Sequence, residues 1–270
     1  MTRQTNAGAA YGLPPCSRHQ SAPVMRAKAS MAATVTGLLI AMACAQAAHA
    51  GDDRAVRPQP VVSVLSTRSV HSRPAVDART VAMIAARRPI TAQPTIVPVL
   101  DEDLDEQGRA WLRVRLPGRV LKTAAPPRTG WIRALNTRLS MRRWHIVVDV
   151  GARRVRVYRD GRRLRNYQAI VGTRSTPTPL GNYFVEENIR LRAGDAGAPF
   201  ALATSARSNV LQEFAGGPGQ IALHGVANIG GQLGSAQSHG CIRLTRRAIT
   251  WLATRITPGT PISIIANSDR

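Results

Sequence analysis

Residues 238–264 read SHGCIRLTRRAITWLATRITPGTPISI. They follow a glycine-rich loop, and TRRAITWLATRI sets Ile249, Leu252 and Ile256 on one face of a short helix. Pro258-Gly259 then turns the chain, and the apolar run from Pro261 closes a sheet as its last strand. At the front of this unit a serine, histidine, glycine, cysteine and arginine fall within six positions, Ser238 to Arg243.

Reading outward, QIALHG predicts a strand that ends at His224, and WHIVVDV alternates Ile146, Val148 and Val150 as a second. Asp160-Gly161 between two alternating runs predicts a hairpin, and TPTPLGNYFVEE predicts a strand from about Tyr183 to Glu187. The Ala- and Gly-rich stretch 188–220 lacks a period and is expected to be a long loop with one short helix, walling a substrate cleft. Upstream, Trp111, Arg113 and Arg115 alternate with Leu112, Val114 and Leu116, and Gly130-Trp131-Ile132 opens another strand. Those spaced strands resemble a bacterial SH3-like barrel over 88–140. The acidic run Asp101 to Glu106 beside Gln107-Gly108 reads as a solvated hairpin tip. Residues 51–87, with Pro58, Pro60 and Pro74, read as a linker with a short helix near Val76 to Ala86.

The chain has 270 residues, 37 basic against 15 acidic, a net charge of +22. Only Lys28 and Lys122 are lysines, so the charge is arginine scattered over solvated strand faces. Such a surface favours a polyanionic neighbour. Without an aromatic-interleaved patch or a DNA-reading motif, the expected neighbour is an anionic cell wall and not nucleic acid. Arg26 and Lys28, an apolar run Met31 to Cys44 and the Ala48-His49-Ala50 site together read as a secretory signal over 1–50, with Met25 as a candidate start. The apolar run is short for a bilayer span, so the segment is expected to be cleaved, leaving no stable membrane span. A lipoprotein anchored at Cys44 is the rival reading. Cleavage after Ala50 removes Cys16 and Cys44 and leaves Cys241 as the one thiol, at a net charge of +18 (33 basic against 15 acidic). An unpaired exported thiol points to chemistry.

A Ser-His-Gly-Arg run makes a poor core strand, so Cys241 reads as a nucleophile. A thiol of pKa about 8.5 needs a base, and a residue on a neighbouring strand can face it, which favours His224 over His239. Gly240 frees the backbone so that successive amides can form an oxyanion hole. Arg243 is placed to hold a substrate carboxylate, and Ser238 either caps the turn or orients His224. His71 and His145 read as structural or surface residues. Zinc held by His224, His239 and Cys241 is the metal alternative, but the spacing lacks a second cysteine pair and a fourth ligand, so no metal is expected.

TPTPLGNYF, IALHG and SHGCIRLTRRAITWLATRITPGTPISI, in this order, resemble the catalytic domain of the L,D-transpeptidases, the YkuD family, over 144–267. The resemblance implies a mainly β fold, a β-sandwich with short helices. It implies Cys241 as nucleophile, His224 as proton donor and acceptor, and the Gly240 and Cys241 amides as oxyanion hole. Ser238 and His239 are then site-shaping residues, and Arg243 touches substrate. No cofactor is implied. The substrates implied are peptidoglycan stem peptides, donor and acceptor, in the cell wall or periplasmic space, with cross-links formed between diaminopimelate residues. An L,D-carboxypeptidase and a non-catalytic wall-binding protein are the alternatives. Leu180 stands where threonine is commoner, and Val226 where threonine or serine is usual. With Val226 there, a backbone carbonyl must orient His224 in place of a hydroxyl.

Overall fold

Asp160 and Gly161 both have positive φ, 50° and 80°. That is the conformation of a type I′ turn, and it joins β9 (Arg154–Arg159) to β10 (Arg162–Gln168) as the dipeptide predicts. A computed structural model describes residues 57–120, 124–213 and 217–267. The expected signal segment, 1–50, lies outside the described residues.

Downstream of residue 143 one mixed sheet holds eight strands in the order β10-β9-β8-β17-β12-β13-β14-β16. Its further members are β8 (Trp144–Asp149), β12 (Gly181–Arg190), β13 (Phe200–Arg207), β14 (Gln220–Gly225), β16 (Ile242–Leu244) and β17 (Pro261–Ile265), while β11 (Val171–Gly172) and β15 (Ala236–Ser238) pair with each other apart from it. The long strand β12 joins its two halves. Gly181 to Phe184 pair with β17, and Val185 to Arg190 pair with β13. Apolar side chains from both halves, among them Val157, Leu202, Leu223, Ile242 and Ile262, form one buried core. The helix α1 (Arg246–Ala253) closes that core with Ala248, Ile249 and Leu252. Thr245 caps it, its hydroxyl accepting the Ala248 N–H at 3.1 Å. Ile256, just past the helix, is also fully buried. The mainly β expectation holds.

Two expectations fail, for physical reasons. The stretch 188–220 contains no helix among its described residues; it contains β13, FALATSAR, buried from Leu202 to Ala206 between β12 and β14. A strand covered on both faces needs no polar alternation, so its small residues hid it. The linker expected at 51–87 is β1 (Gln59–Val64), β2 (Arg68–His71) and β3 (Thr80–Ile84). These join β4 (Ile96–Leu104), β5 (Ala110–Arg115), β6 (Thr129–Arg133) and β7 (Thr137–Arg142) in a seven-stranded sheet ordered β3-β2-β6-β5-β4-β1-β7. The first strand lies between β4 and β7, so the N-terminal sheet starts near residue 59 and not at 88. Its prolines mask a strand whose Val61, Val62 and Val64 are buried. The acidic tip between β4 and β5 is anchored: Asp105 accepts the Trp111 indole N–H at 2.9 Å and the Arg109 N–H at 2.9 Å.

The two sheets meet through β12. Phe184, though on the C-terminal sheet, packs in the N-terminal core with Val62, Leu112 and Ile132. Glu186 of β12 is buried and accepts from Arg88 at 2.6 Å, Arg207 at 3.1 Å and the Gly118 N–H at 2.8 Å.

Candidate active site

Strands β14 and β16 run parallel, with Leu223 opposite Ile242, His224 opposite Arg243 and Gly225 opposite Leu244. Ile221, Leu223, Ile242 and Leu244 are buried in the core. The pleat therefore sends Ala222, His224, Cys241 and Arg243 to the opposite face. A cavity of about 70 Å³ opens there, lined by His224, His239, Cys241, Arg243, Ser208 and Gln220 among others. Four of the six residues singled out from sequence thus share one cleft. Ser238 and Gly240 stand behind it and build the turn.

That turn is closed by its own side chains. The Ser238 hydroxyl donates to the Cys241 carbonyl at 2.6 Å and accepts the Gly240 N–H at 3.1 Å. Of the two roles left open for Ser238, it performs the cap. Gly240 has φ +113°, and a Cβ there would lie 2.8 Å from Ile221 Cδ1. Only glycine fits. Thr178 ties the turn down from outside, donating to the Gly240 carbonyl at 2.9 Å and accepting the Gly172 N–H at 2.9 Å. One expectation changes in detail. The Gly240 N–H, expected in an oxyanion hole, is already engaged by Ser238.

His224 donates from Nδ1 to the Gly225 carbonyl at 2.8 Å, since a carbonyl only accepts. This fixes the tautomer and leaves Nε2 as the basic lone pair. A backbone carbonyl thus takes the place of the hydroxyl that Val226 lacks. Gly197, at φ +84°, packs against the ring, where a Cβ would collide with the imidazole. Burial lowers the His224 pKa; the Gly225 carbonyl works against the shift, and the Arg243 charge adds to it. The Cys241 thiol is held as a neutral S–H by burial, which outweighs the Ala222 amide and the Arg243 cation. Its Sγ makes a long contact of 3.8 Å with the Gln220 carbonyl. Both partners therefore rest uncharged.

Arg243 is not a solvated cation: it is 8% exposed. Its backbone bonds Ile170 in both directions at 2.9 Å, its Nη1 reaches the Gly230 carbonyl at 3.3 Å, and among the described residues its Nε has no hydrogen-bond partner. Among the described residues it has no carboxylate at ion-pair distance. Among the described residues, no three His, Cys, Asp or Glu side chains gather closely enough to hold a metal. Sequence reasoning missed Gly197, Thr178, Ser208 and Gln220. Thr178 lies inside the TPTPLG motif, and a lone glycine as far upstream of His224 as Gly197 carries no local signal.

The domain thus presents a thiol, an oriented histidine and a buried cation to one cleft. Residues 143–264 match the family model of YkuD, the L,D-transpeptidase catalytic domain. It is 28% identical over 121 residues to the Bacillus subtilis protein carrying the name L,D-transpeptidase YkuD, and 30% identical over 121 residues to its Bacillus licheniformis namesake. In both cases the match covers 45% of this chain and 65% of the relative. Solved structures that match include an L,D-transpeptidase from Mycobacterium smegmatis, at 19% identity and TM-score 0.36, covering 63% of this chain and 99% of that one. Another, from Mycobacterium tuberculosis, matches at 17% identity and TM-score 0.39, covering 63% of this chain and 90% of that one. The family match begins at residue 143, past the N-terminal sheet.

Proposed function

We propose that the protein is an exported peptidoglycan L,D-transpeptidase working through a Cys241 thioester. The observation that carries this reading is the common face of β14 and β16, which puts His224, with Nε2 free, beside Cys241 in one cleft. Substrate binding displaces the thiol from the Gln220 carbonyl, and His224 Nε2 takes its proton as Sγ attacks the carbonyl joining diaminopimelate to the terminal D-alanine. The Cys241 N–H is the oxyanion donor, because the Gly240 N–H serves Ser238. The tetrahedral intermediate collapses, His224 returns the proton to the leaving amine, and D-alanine departs. An amine of a second stem then attacks the thioester and gives its proton to His224. The proton passes to Sγ as the C–S bond breaks, and the cross-link is released. Arg243 is the binding group for a substrate carboxylate: a buried guanidinium without an ion-pair partner gains most from one. The scattered positive charge suits an anionic wall.

The test is incubation of the purified protein with disaccharide-tetrapeptide, followed by mass analysis of the products. A cross-linked dimer with release of D-alanine, both lost in Cys241→Ala, is expected. Tripeptide without dimer would mean that water takes the place of the amine, making the enzyme an L,D-carboxypeptidase. No turnover by a folded protein would favour the wall-binding alternative.

A further inference from the structure

A second cavity, of about 340 Å³, lies where the chain leaving β5 meets β12 and β13. Four arginines line it, Arg115, Arg119, Arg128 and Arg207, and among the described residues no carboxylate does. Two of the four are committed. Arg207 pairs with Glu186 at 3.1 Å and reaches the Arg119 carbonyl at 2.9 Å. Arg119 is buried and donates to the Ser208 and Gln212 carbonyls, at 3.4 and 2.8 Å. Arg115 and Arg128 are different: among the described residues neither has a carboxylate at ion-pair distance. They nevertheless stand close enough to repel, since the Arg128 charge adds to burial in lowering the Arg115 pKa. Tyr183 lines the cavity with them, and its hydroxyl donates to the Leu180 carbonyl at 3.0 Å.

Two guanidiniums brought together without a counter-charge lower each other's stability unless an anion is shared between them. The cavity is too large for a lone inorganic ion and falls at the lower end of the range for small organic ligands, roughly 300–1,000 Å³. It is also next to the first cleft, because Ser208 lines both.

We propose that this cavity is a second ligand site that takes a small molecule bearing an oxyanion, a carboxylate or a phosphate, gripped by Arg115 and Arg128. The neutral remainder of the ligand lies against Pro117 and Pro126, with Asn182 and Asn209 available to its polar groups. A carboxylate would come from a stem peptide and a phosphate from a wall polymer. The geometry does not depend on Cys241 chemistry.

The test uses the full chain with Cys241→Ala, so that nothing is turned over. Calorimetric titration is run with two probes, the tetrapeptide stem and inorganic pyrophosphate. Binding of either probe, weakened about tenfold or more by the double change Arg115→Gln and Arg128→Gln, is expected, and the tighter probe names the source of the anion. If the double variant does not fold, Arg128→Ala at an exposed position is expected to weaken binding severalfold. Affinity unchanged by these substitutions, or no binding of either probe at millimolar concentration, overturns the site. Acylation of Cys241 in the unaltered protein is a separate readout, so failure here and failure of the acyl-transfer reading are told apart.

Discussion

At Cys241 the free protein holds a neutral thiol facing a neutral imidazole, because burial penalises both charged forms. For the thiol the neutral form persists above the ordinary cysteine value of about 8.5. Alkylation by iodoacetamide without substrate is therefore expected to be slower at pH 7 than for free cysteine, and to climb only in the alkaline range. Fast alkylation at neutrality would mean a preformed thiolate. A second histidine gives a stability prediction. His145 bonds Ser263 Oγ at 2.9 Å, and burial pushes its pKa down to about 4. The folded protein thus resists a proton that the unfolded chain accepts near pH 6.5. Stability is full above that value, falls as pH drops toward 4 and levels below it, with a loss of up to ~3 kcal/mol. His145→Gln should flatten this slope in denaturant titrations across the window, and an unchanged slope would assign it to other groups.

At the scale of elements, the turn from Ser238 to Cys241 and the strand carrying His224 each depend on one glycine. Gly240→Ala forces a side chain into φ +113° and against Ile221, and Gly197→Ala drives a methyl into the His224 ring. Both variants are expected to lose acylation by about 10² or more while keeping the fold, a misplacement effect. Intact mass spectrometry against time checks the rate, and circular dichroism checks the fold. The elements around the cleft were legible because their signals are local: Asp160-Gly161 for its turn, the face of Ile249, Leu252 and Ile256 for α1, alternation for β8 and the QIALHG run for β14. The strand β13 was not, since a strand buried on both faces has no alternation to read. Nor was β1, whose place between β4 and β7 follows from pairing with residues far away in sequence. In the site, Cys241, His224 and Arg243 could be found from residue type and spacing. The engagement of the Gly240 amide by Ser238 and the packing of Gly197 on His224 are three-dimensional facts with no sequence signature.

For the whole molecule, β12 is a shared member of two cores. Phe184 fills the N-terminal one, and Glu186 ties Arg88 and Gly118 to the strand next to β13. The family match to 143–264 therefore outlines a region that leans on residues before it. A chain starting at residue 143 leaves Phe184 uncovered and Glu186 without Arg88. It is expected to unfold at lower denaturant than residues 51–270, or to aggregate. In the longer chain Phe184→Ala should cost about 3–5 kcal/mol in one cooperative transition reporting both sheets. Two separate transitions would show that the sheets are independent.

The central claim is that Cys241, served by His224, is an acyl-accepting nucleophile. Its most direct test is intact-protein mass spectrometry after exposure to a carbapenem, with peptide mapping of the product. A single adduct on Cys241 is predicted, absent in Cys241→Ala and formed ~10²-fold or more slowly in His224→Ala. An adduct on another residue, or one that survives Cys241→Ala, would contradict it.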